Sequence, residues 1–266
     1  LFIADFNPFL KDWERILLRI VHEEAQYFIP QIETKIMNEG WASFWHREIL
    51  NSLNLPQDLH LEFLVRHNQV ARPIHGGLNP YHLGLKTWDD IRHRYDEAKI
   101  GKICDDHSED YDRNGAPGDL GKLSGLEKVF EVRLVERDSS FIRRFLTEHL
   151  IRELDLFEYK PKDKDLVISN VADSGGWKEV KETLMNNVGM KSVPVIKVTE
   201  CDMAANRSLR ILHDHDGRDL HLEYAEKTMG YLYGLWGAPV SIETELGGNK
   251  TLLNFDDKGF STKLLK

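Results

Sequence analysis

The sequence predicts an α+β protein, in which a helical N-terminal half packs with a C-terminal α+β unit built on an antiparallel sheet. Apolar residues of the first half recur every three or four positions, which is the period of an amphipathic helix. After about residue 156, short runs rich in β-branched and aromatic residues alternate with helical stretches. We therefore expect a mainly helical domain over residues 1–155 and a small α+β domain over residues 156–266.

The first domain is predicted to consist of helices joined by loops. Four helices are predicted, over residues 10–28, 31–51, 81–97 and 141–154, the last with Asp138, Ser139 and Ser140 as candidates to cap its start. Pro30 is expected to end the first helix, because proline lacks the N–H that a helix interior needs. The prolines and glycines of residues 66–84 predict that this segment is mostly loop. Residues 105–121 are acidic, polar and glycine-containing, so we expect a mobile connection there.

The second domain is predicted to contain strands with helices between them. Six strands are predicted, over residues 156–159, 165–169, 193–199, 207–215, 240–244 and 251–255. Helices are predicted over residues 177–187 and 220–235. Asp216 and Gly217 lie between two alternating runs, which is a two-residue hairpin signal. The element order favours helices on one face of a sheet.

Composition narrows the class of protein. The 266 residues carry a formal net charge of −9, which disfavours a nucleic-acid partner, since such proteins present a basic surface. The apolar runs are shorter than the ~20 residues that a transmembrane helix needs. Cys104 and Cys201 form no C-x-x-C pattern and imply no oxidising compartment. We expect a cytoplasmic protein without a membrane span.

Glu39 and His46 are the leading candidates for a functional site. They lie seven residues apart, so on a helix their side chains point within about 20° of each other. A carboxylate and an imidazole on one helix face suit a metal site or acid–base chemistry. Gly40 costs a helix about 1 kcal/mol relative to alanine, which suggests that another part of the chain packs closely against the backbone there.

A metal site would draw its other groups from the preceding helix. His22 and Glu23 begin a degenerate H-E-x-x-H motif, in which Gln26 stands at the position of the second histidine. The candidate metal ligands are therefore Glu39, His46 and His22, the candidate catalytic residue is Glu23, and zinc is the metal that such ligands favour. Against this hypothesis, neutral amides such as Gln26 are poor zinc ligands.

Several alternatives stay open on the sequence alone. Glu39 could pair with Lys35 one helical turn away, and His46 could be a partly buried structural histidine. His213 and His215 would share one face of a strand, where they could chelate a metal, but their place beside a turn explains them equally well.

The loop around Pro73 is a further candidate for a pocket. His67 and His75 flank this loop, and Arg66 and Arg72 could bind an anionic group there. The signal is weak, because histidines at these spacings match no compact ligand motif.

Residues 34–46 (TKIMNEGWASFWH) resemble the signature of the SpoVR family (stage V sporulation protein R). The resemblance continues through NPFL at 7–10, EEAQYF at 23–28, HLEF at 60–63, GGLNPY at 76–81, LEKVFEVR at 126–133 and GYLYGLWG at 230–237. It spans nearly the whole chain. The chain begins with Leu1 where a methionine would stand, so we expect a member that is shortened at its N-terminus.

The resemblance implies a role in spore cortex formation or, more generally, in cell-wall physiology. It also implies protein partners, namely a serine kinase of the PrkA type and a von Willebrand-like protein. It implies no particular activity, so two hypotheses remain. In the first, the protein is a non-enzymatic regulatory or interaction protein. In the second, it is a divergent metallohydrolase similar to the gluzincins, whose third zinc ligand is a glutamate in an E-G-x-A-like context matched here by Glu39-Gly40-Trp41-Ala42.

Overall fold

A computed structural model describes residues 1–74, 77–99, 122–156, 158–162, 165–170 and 176–265. The described helices are α1 (Phe2–Phe6), α2 (Asp12–Glu33), α3 (Lys35–Ser52), α4 (Gln57–Ala71), α5 (Pro80–Lys99), α6 (Gly125–Val135), α7 (Asp138–Phe145), α8 (Glu148–Glu153), α9 (Gly176–Asn186) and α10 (Leu222–Trp236). The strands are β1 (Glu158–Lys162), β2 (Asp165–Asn170), β3 (Ile196–Cys201), β4 (Leu209–His213), β5 (Val240–Leu246), β6 (Asn249–Asp256) and β7 (Gly259–Leu264). This order of elements confirms the predicted α+β class.

The chain divides into two compact units. One comprises Leu1–Phe28 with Val193–Lys266, and the other comprises Ile29–Ser192. The antiparallel hairpin of β1 and β2 belongs to the second unit and is separate from the larger sheet. The boundary between two domains at residues 155 and 156 stays a prediction, which limited proteolysis can test. The predicted mobile connection at residues 105–121 lies outside the described residues.

In the first unit, β3 to β7 form a five-stranded sheet in sequential order. The sheet is mixed and not purely antiparallel as predicted, because β4 and β5 run parallel. Parallel neighbours need a crossover, which α10 provides. The expected hairpin at Asp216 does not form, since the chain after β4 leads into α10. Strand β7 was missing from the prediction.

The core of this unit lies between α10 and the sheet. Trp236 and Met229 of α10 are buried with apolar residues of β4, β5 and β6. The start of the chain joins this core: the ring of Phe2 lies 5.8 Å from that of Trp236, and the side-chain amide of Asn7 donates to the carbonyl of Leu235 at 2.7 Å. Burial of these aromatic groups is the main force that holds the unit together.

In the second unit, α3 crosses α5 at the centre of the helical core. Met37 and Phe44 of α3 are buried against Trp88 and Ile91 of α5, together with residues of α6, α7 and α9. The indole N–H of Trp88 donates to the carbonyl of Met37 at 3.2 Å, so the largest core side chain has its polar atom satisfied. This crossing determines where the candidate site residues of α3 point.

The predictions around Pro30 and over residues 57–71 were wrong. Helix α2 continues to Glu33 and contains Pro30, because a proline so close to the helix end removes only one bond of the last turns. Helix α4 was missing from the prediction, and its end at Ala71 lies where a loop was expected from residue 66. Its buried stripe is narrow, with Phe63, His67 and Ala71 spaced four apart, and the polar residues between them hid the helical pattern.

The predicted helix over residues 141–154 is two helices, α7 and α8. The break falls at Leu146, and Thr147 starts α8 by accepting a hydrogen bond from the backbone of Leu150 at 3.2 Å. Asp138, predicted to cap its own helix, caps α3 instead. Its two carboxylate oxygens accept hydrogen bonds from the backbone N–H groups of Ile36 and Met37, each at 2.9 Å. Asp138 therefore fixes the start of the helix that carries Glu39.

Candidate site at the crossing of α3 and α5

Gly40 of α3 and Gly84 of α5 bring the two helix backbones into direct contact. A Cβ atom on Gly40 would lie 2.3 Å from backbone atoms of Gly84, and one on Gly84 would lie 2.3 Å from the carbonyl oxygen of Ile36. No side chain fits at either position. The expectation that something packs against the backbone beside Glu39 is confirmed, and the packed element is helix α5.

This close approach places Tyr81 of α5 beside Glu39. The phenol O–H of Tyr81 donates a hydrogen bond to the Glu39 carboxylate, which raises the pKa of Tyr81. Partial burial and the negative charge of Glu39 raise it further, because both disfavour the phenolate. Among the described residues no ion pair joins Glu39 to Lys35, so the partner of Glu39 is the tyrosine.

Asn79 holds the start of α5 and thereby positions Tyr81. Its buried side-chain amide donates to the carbonyls of Val70 and Arg72, at 2.8 and 2.7 Å. Its side-chain oxygen accepts from the backbone N–H of Tyr81 at 3.0 Å. One side chain thus ties the end of α4 to the first turn of α5, as an N-cap residue does.

His46 points to α4, away from the Glu39–Tyr81 pair. Its Nδ1 lies 3.5 Å from Nδ1 of His67, the two rings are stacked, and Phe63 packs against both. His46 is exposed while His67 is buried. Burial lowers the pKa of His67, and the nearby positive charges of His46 and Arg47 lower it further.

Glu39 and His46 therefore contact different helices, although they share a helix. His22 and Glu23 belong to the unit Leu1–Phe28 with Val193–Lys266, whereas Glu39 and His46 belong to the unit Ile29–Ser192. Within the part of the chain that the structure describes, no group of three or more His, Cys, Asp or Glu side chains could hold a metal ion. The assignment of Glu39, His46 and His22 as metal ligands, and of Glu23 as the catalytic residue, stays a prediction.

His213 and His215 form hydrogen bonds of a structural kind. Nδ1 of His213, at the end of β4, lies 2.8 Å from the hydroxyl of Thr244 on β5. Nε2 of His215 lies 3.0 Å from the carboxylate of Asp219, which also accepts from the backbone N–H of Gly247 at 2.8 Å. These contacts join the segment after β4 to strand β5 and its following turn.

Sequence reasoning missed Tyr81 and misplaced His67, while its expected neighbour His75 lies outside the described residues. It placed His67 at the Pro73 loop, with Arg66 available for an anion. In the structure His67 pairs with His46, and a guanidinium nitrogen of Arg66 lies 3.8 Å from a carboxylate oxygen of Glu62. Gly84 was the available signal for Tyr81. A second glycine in a predicted helix suggests a partner for Gly40, and Tyr81 lies three residues before it.

Comparison with known families decides the identity of the chain. Residues 1–193 match the family model described as SpoVR like protein, and residues 194–247 match the SpoVR-like C-terminal domain. The chain belongs to the SpoVR family. It is 31% identical over 257 residues to the uncharacterized protein YcgB of Escherichia coli strain K12, and this match covers 92% of the chain.

The chain spans about half the length of that curated relative, since the match covers 48% of YcgB. No solved structure matches the chain. Among the described residues, no helix is both long enough and apolar enough to cross a membrane.

Proposed function

We propose that this SpoVR-family chain is a non-enzymatic regulatory or interaction protein that acts in the cytoplasm on spore cortex or cell-wall formation. Family membership supports the physiological setting, because the family is named for sporulation. One structural observation supports the interaction role, namely the exposed apolar face of helix α2.

Helix α2 is strongly amphipathic, yet none of its 22 residues is buried. Its exposed large apolar side chains are Trp13, Ile16, Leu17, Ile20, Val21, Tyr27, Phe28 and Ile32. Contiguous apolar surface of this kind commonly marks a protein-interaction site. The aromatic residues among them are of the type enriched in the centres of interfaces.

The partners that we propose are a serine kinase of the PrkA type and a von Willebrand-like protein. The first experiment asks whether the kinase binds α2. Ile20→Glu places a charge within the apolar face, and its exposed position means that the fold should be retained. In a binding assay with the purified kinase, we expect affinity to fall at least tenfold, because the charge must be desolvated in the complex.

The matched control is Gln26→Glu, which adds the same charge at an exposed position on the opposite side of the same helix. It should bind the kinase as the wild type does. Undiminished binding by a folded Ile20→Glu variant would show that α2 is not the docking face. Absence of binding by the wild type to either partner would reject the partners that we propose.

The second candidate function is a metallohydrolase built around Glu39. The observation that favours it is the Glu39–Tyr81 pair, a carboxylate and a phenol held together at a rigid helix crossing. The described side chains do not by themselves fit a zinc site, because Glu39 and His46 turn to different helices. Additional ligands would have to come from residues outside the described ranges or from the part of the longer relative that this chain does not span.

Elemental analysis separates the two functions. If Glu39 is a ligand, the purified full-length protein holds stoichiometric metal and its Glu39→Gln variant loses it, since the amide is a poor ligand. The variant keeps the size and the hydrogen-bonding atoms of the side chain, so thermal unfolding should confirm that the fold is intact. Equal metal content in the wild type and a folded variant would remove Glu39 from the ligand set.

A further inference from the structure

A cavity of about 210 Å³ lies in the unit Ile29–Ser192, at the loop that precedes α5. Its apolar walls include Ile74, Leu83, Leu154, Leu156, Val180 and Leu184. Ligand sites are concave and mostly apolar, so an open space with such walls is suited to a ligand. The cavity is separate from the Glu39–Tyr81 pair, since neither residue lines it.

His82 supplies a polar group at the cavity, and its hydrogen bond fixes its tautomer. Nδ1 of His82 lies 2.7 Å from the backbone carbonyl oxygen of Ala71. A carbonyl only accepts hydrogen bonds, so Nδ1 carries the proton in the neutral ring. Nε2 is then an unprotonated acceptor, which His82 can offer to an N–H or O–H group of a ligand.

The neighbouring Asn79 is already engaged by other parts of the chain. Its amide N–H groups are used by Val70 and Arg72, and its oxygen accepts from Tyr81. Asn79 therefore builds the wall of the cavity and holds His82 close by on the first turn of α5.

We propose that this cavity binds a small neutral molecule with a flat apolar body and one N–H or O–H donor. Size supports this class, because an apolar cavity of about 150 Å³ binds benzene, so a larger one admits a fused two-ring molecule. Charge excludes an anionic ligand. Among the described lining residues there is no lysine or arginine, and Asp155 at the cavity would repel an anion. The sequence suggested a pocket for an anionic group at this loop, whereas the ligand that we propose here is neutral.

Indole and 1-methylindole form a matched pair of probes. Both have the same apolar rings, but only indole carries the N–H that Nε2 of His82 would accept. Titration of the full chain, followed by ligand-observed NMR, should show saturable binding of both. We expect indole to bind about two- to tenfold more tightly, which is the effect of one neutral hydrogen bond.

Two variants test where the probes bind. Leu184→Trp fills the cavity and should abolish binding of both, whereas Leu126→Trp, an equal change at an exposed position of α6, should leave binding unchanged. His82→Phe should retain both probes and lose the preference for indole. Binding that survives Leu184→Trp, or no saturable binding to the wild type, would overturn the proposal. Equal affinity of the wild type for the two probes would overturn the role of His82, even if His82→Phe fails to fold.

Discussion

Gly40 and Gly84 face each other so closely that a Cβ on Gly40 would lie 2.3 Å from the carbonyl carbon of Gly84. Real Cβ atoms do not approach backbone atoms to that distance. The glycine that looked costly in the sequence thus has a packing reason, because it lets α3 and α5 approach with their backbones in contact. The same contact brings Tyr81 to Glu39, so packing and the candidate site share one origin.

Gly40→Ala should destabilise the unit Ile29–Ser192 by about 3 kcal/mol, at the upper end of typical overpacking. The clashing atoms belong to the backbone of Gly84 and Leu85, which cannot turn aside as a flexible side chain can. Alanine's better helix propensity returns only about 1 kcal/mol. Urea unfolding followed by tryptophan fluorescence measures the change, since Trp88 is buried at the crossing.

Ala42→Gly provides the control for Gly40→Ala. Ala42 is exposed on the same helix, so this exchange alters helix propensity without touching the crossing. It should cost about 1 kcal/mol. If Gly40→Ala proves as stable as the wild type, the helices do not meet at the distance described.

Elements with a dense apolar pattern could be predicted from the sequence, whereas elements defined by distant contacts could not. Helix α5 was predicted nearly in full, because Leu85, Trp88 and Ile91 repeat on one face. Helix α4 was missed, because its buried positions are few and one of them is a histidine. A thin stripe of this kind is recognised only once its neighbours are known.

For the candidate site, too, local features could be predicted from the sequence and distant contacts could not. The helical spacing of Glu39 and His46 was evident, but their partners lie far along the chain and depend on how helices cross. Tyr81 is 42 residues from Glu39, and no local pattern links them. Asp138 looked like an ordinary cap of its own helix, and only tertiary structure shows that its carboxylate caps another one.

Asp138 should give the protein an unusual dependence of stability on pH. Burial raises its pKa to about 6, although the hydrogen bonds from Ile36 and Met37 oppose this rise. The folded state holds the proton more tightly than the unfolded state, in which the pKa of Asp138 is near 3.8. The contribution of Asp138 to the free energy of unfolding is therefore greatest below pH 3.8. The protein loses this contribution, which is up to about 3 kcal/mol, as the pH rises through 6.

Asp138→Asn removes this titration. The difference in free energy of unfolding between wild type and variant should therefore shrink from pH 4.5 to pH 7.5, as measured by urea unfolding at several pH values. Asp58→Asn, at an exposed position of α4, should give a nearly constant difference. A constant difference for Asp138→Asn as well would mean that the carboxyl group is not buried against the start of α3.

His67 should lose its proton more readily than an ordinary histidine. Its lowered pKa arises first from burial and second from the positive charges of His46 and Arg47. His46→Ala removes one of those charges, so the pKa of His67 should rise while staying below its usual 6.5, because burial remains. NMR titration of the imidazole protons measures this, and His93→Ala, at an exposed position of α5, should leave it unchanged.

The lowered pKa of His67 also determines how the stability of the protein changes with pH. The unfolded state binds a proton near pH 6.5 and the folded His67 binds it only at lower pH. Stability from this histidine is therefore present above pH 6.5 and is lost as the pH falls through its folded pKa. His67→Phe keeps the packing with Phe63 and should unfold less readily than the wild type as the pH drops below 6. An identical acid-unfolding curve would contradict this.

The pair of Glu39 and Tyr81 can be tested by the titration of the phenol. In the wild type, ionisation of Tyr81 breaks its hydrogen bond to Glu39 and places two negative charges side by side, so its pKa is raised above 10. Glu39→Gln keeps an acceptor for the phenol and removes the charge, so the pKa of Tyr81 should move down towards its usual value. NMR of protein with ¹³C-labelled tyrosine follows the titration, with Tyr81→Phe to assign the signal. Glu62→Gln, which removes the same charge from the exposed face of α4, should leave the pKa where it was. If Glu39→Gln also leaves it there, the two side chains are not in contact, and the polar pair at the helix crossing ceases to be a candidate site.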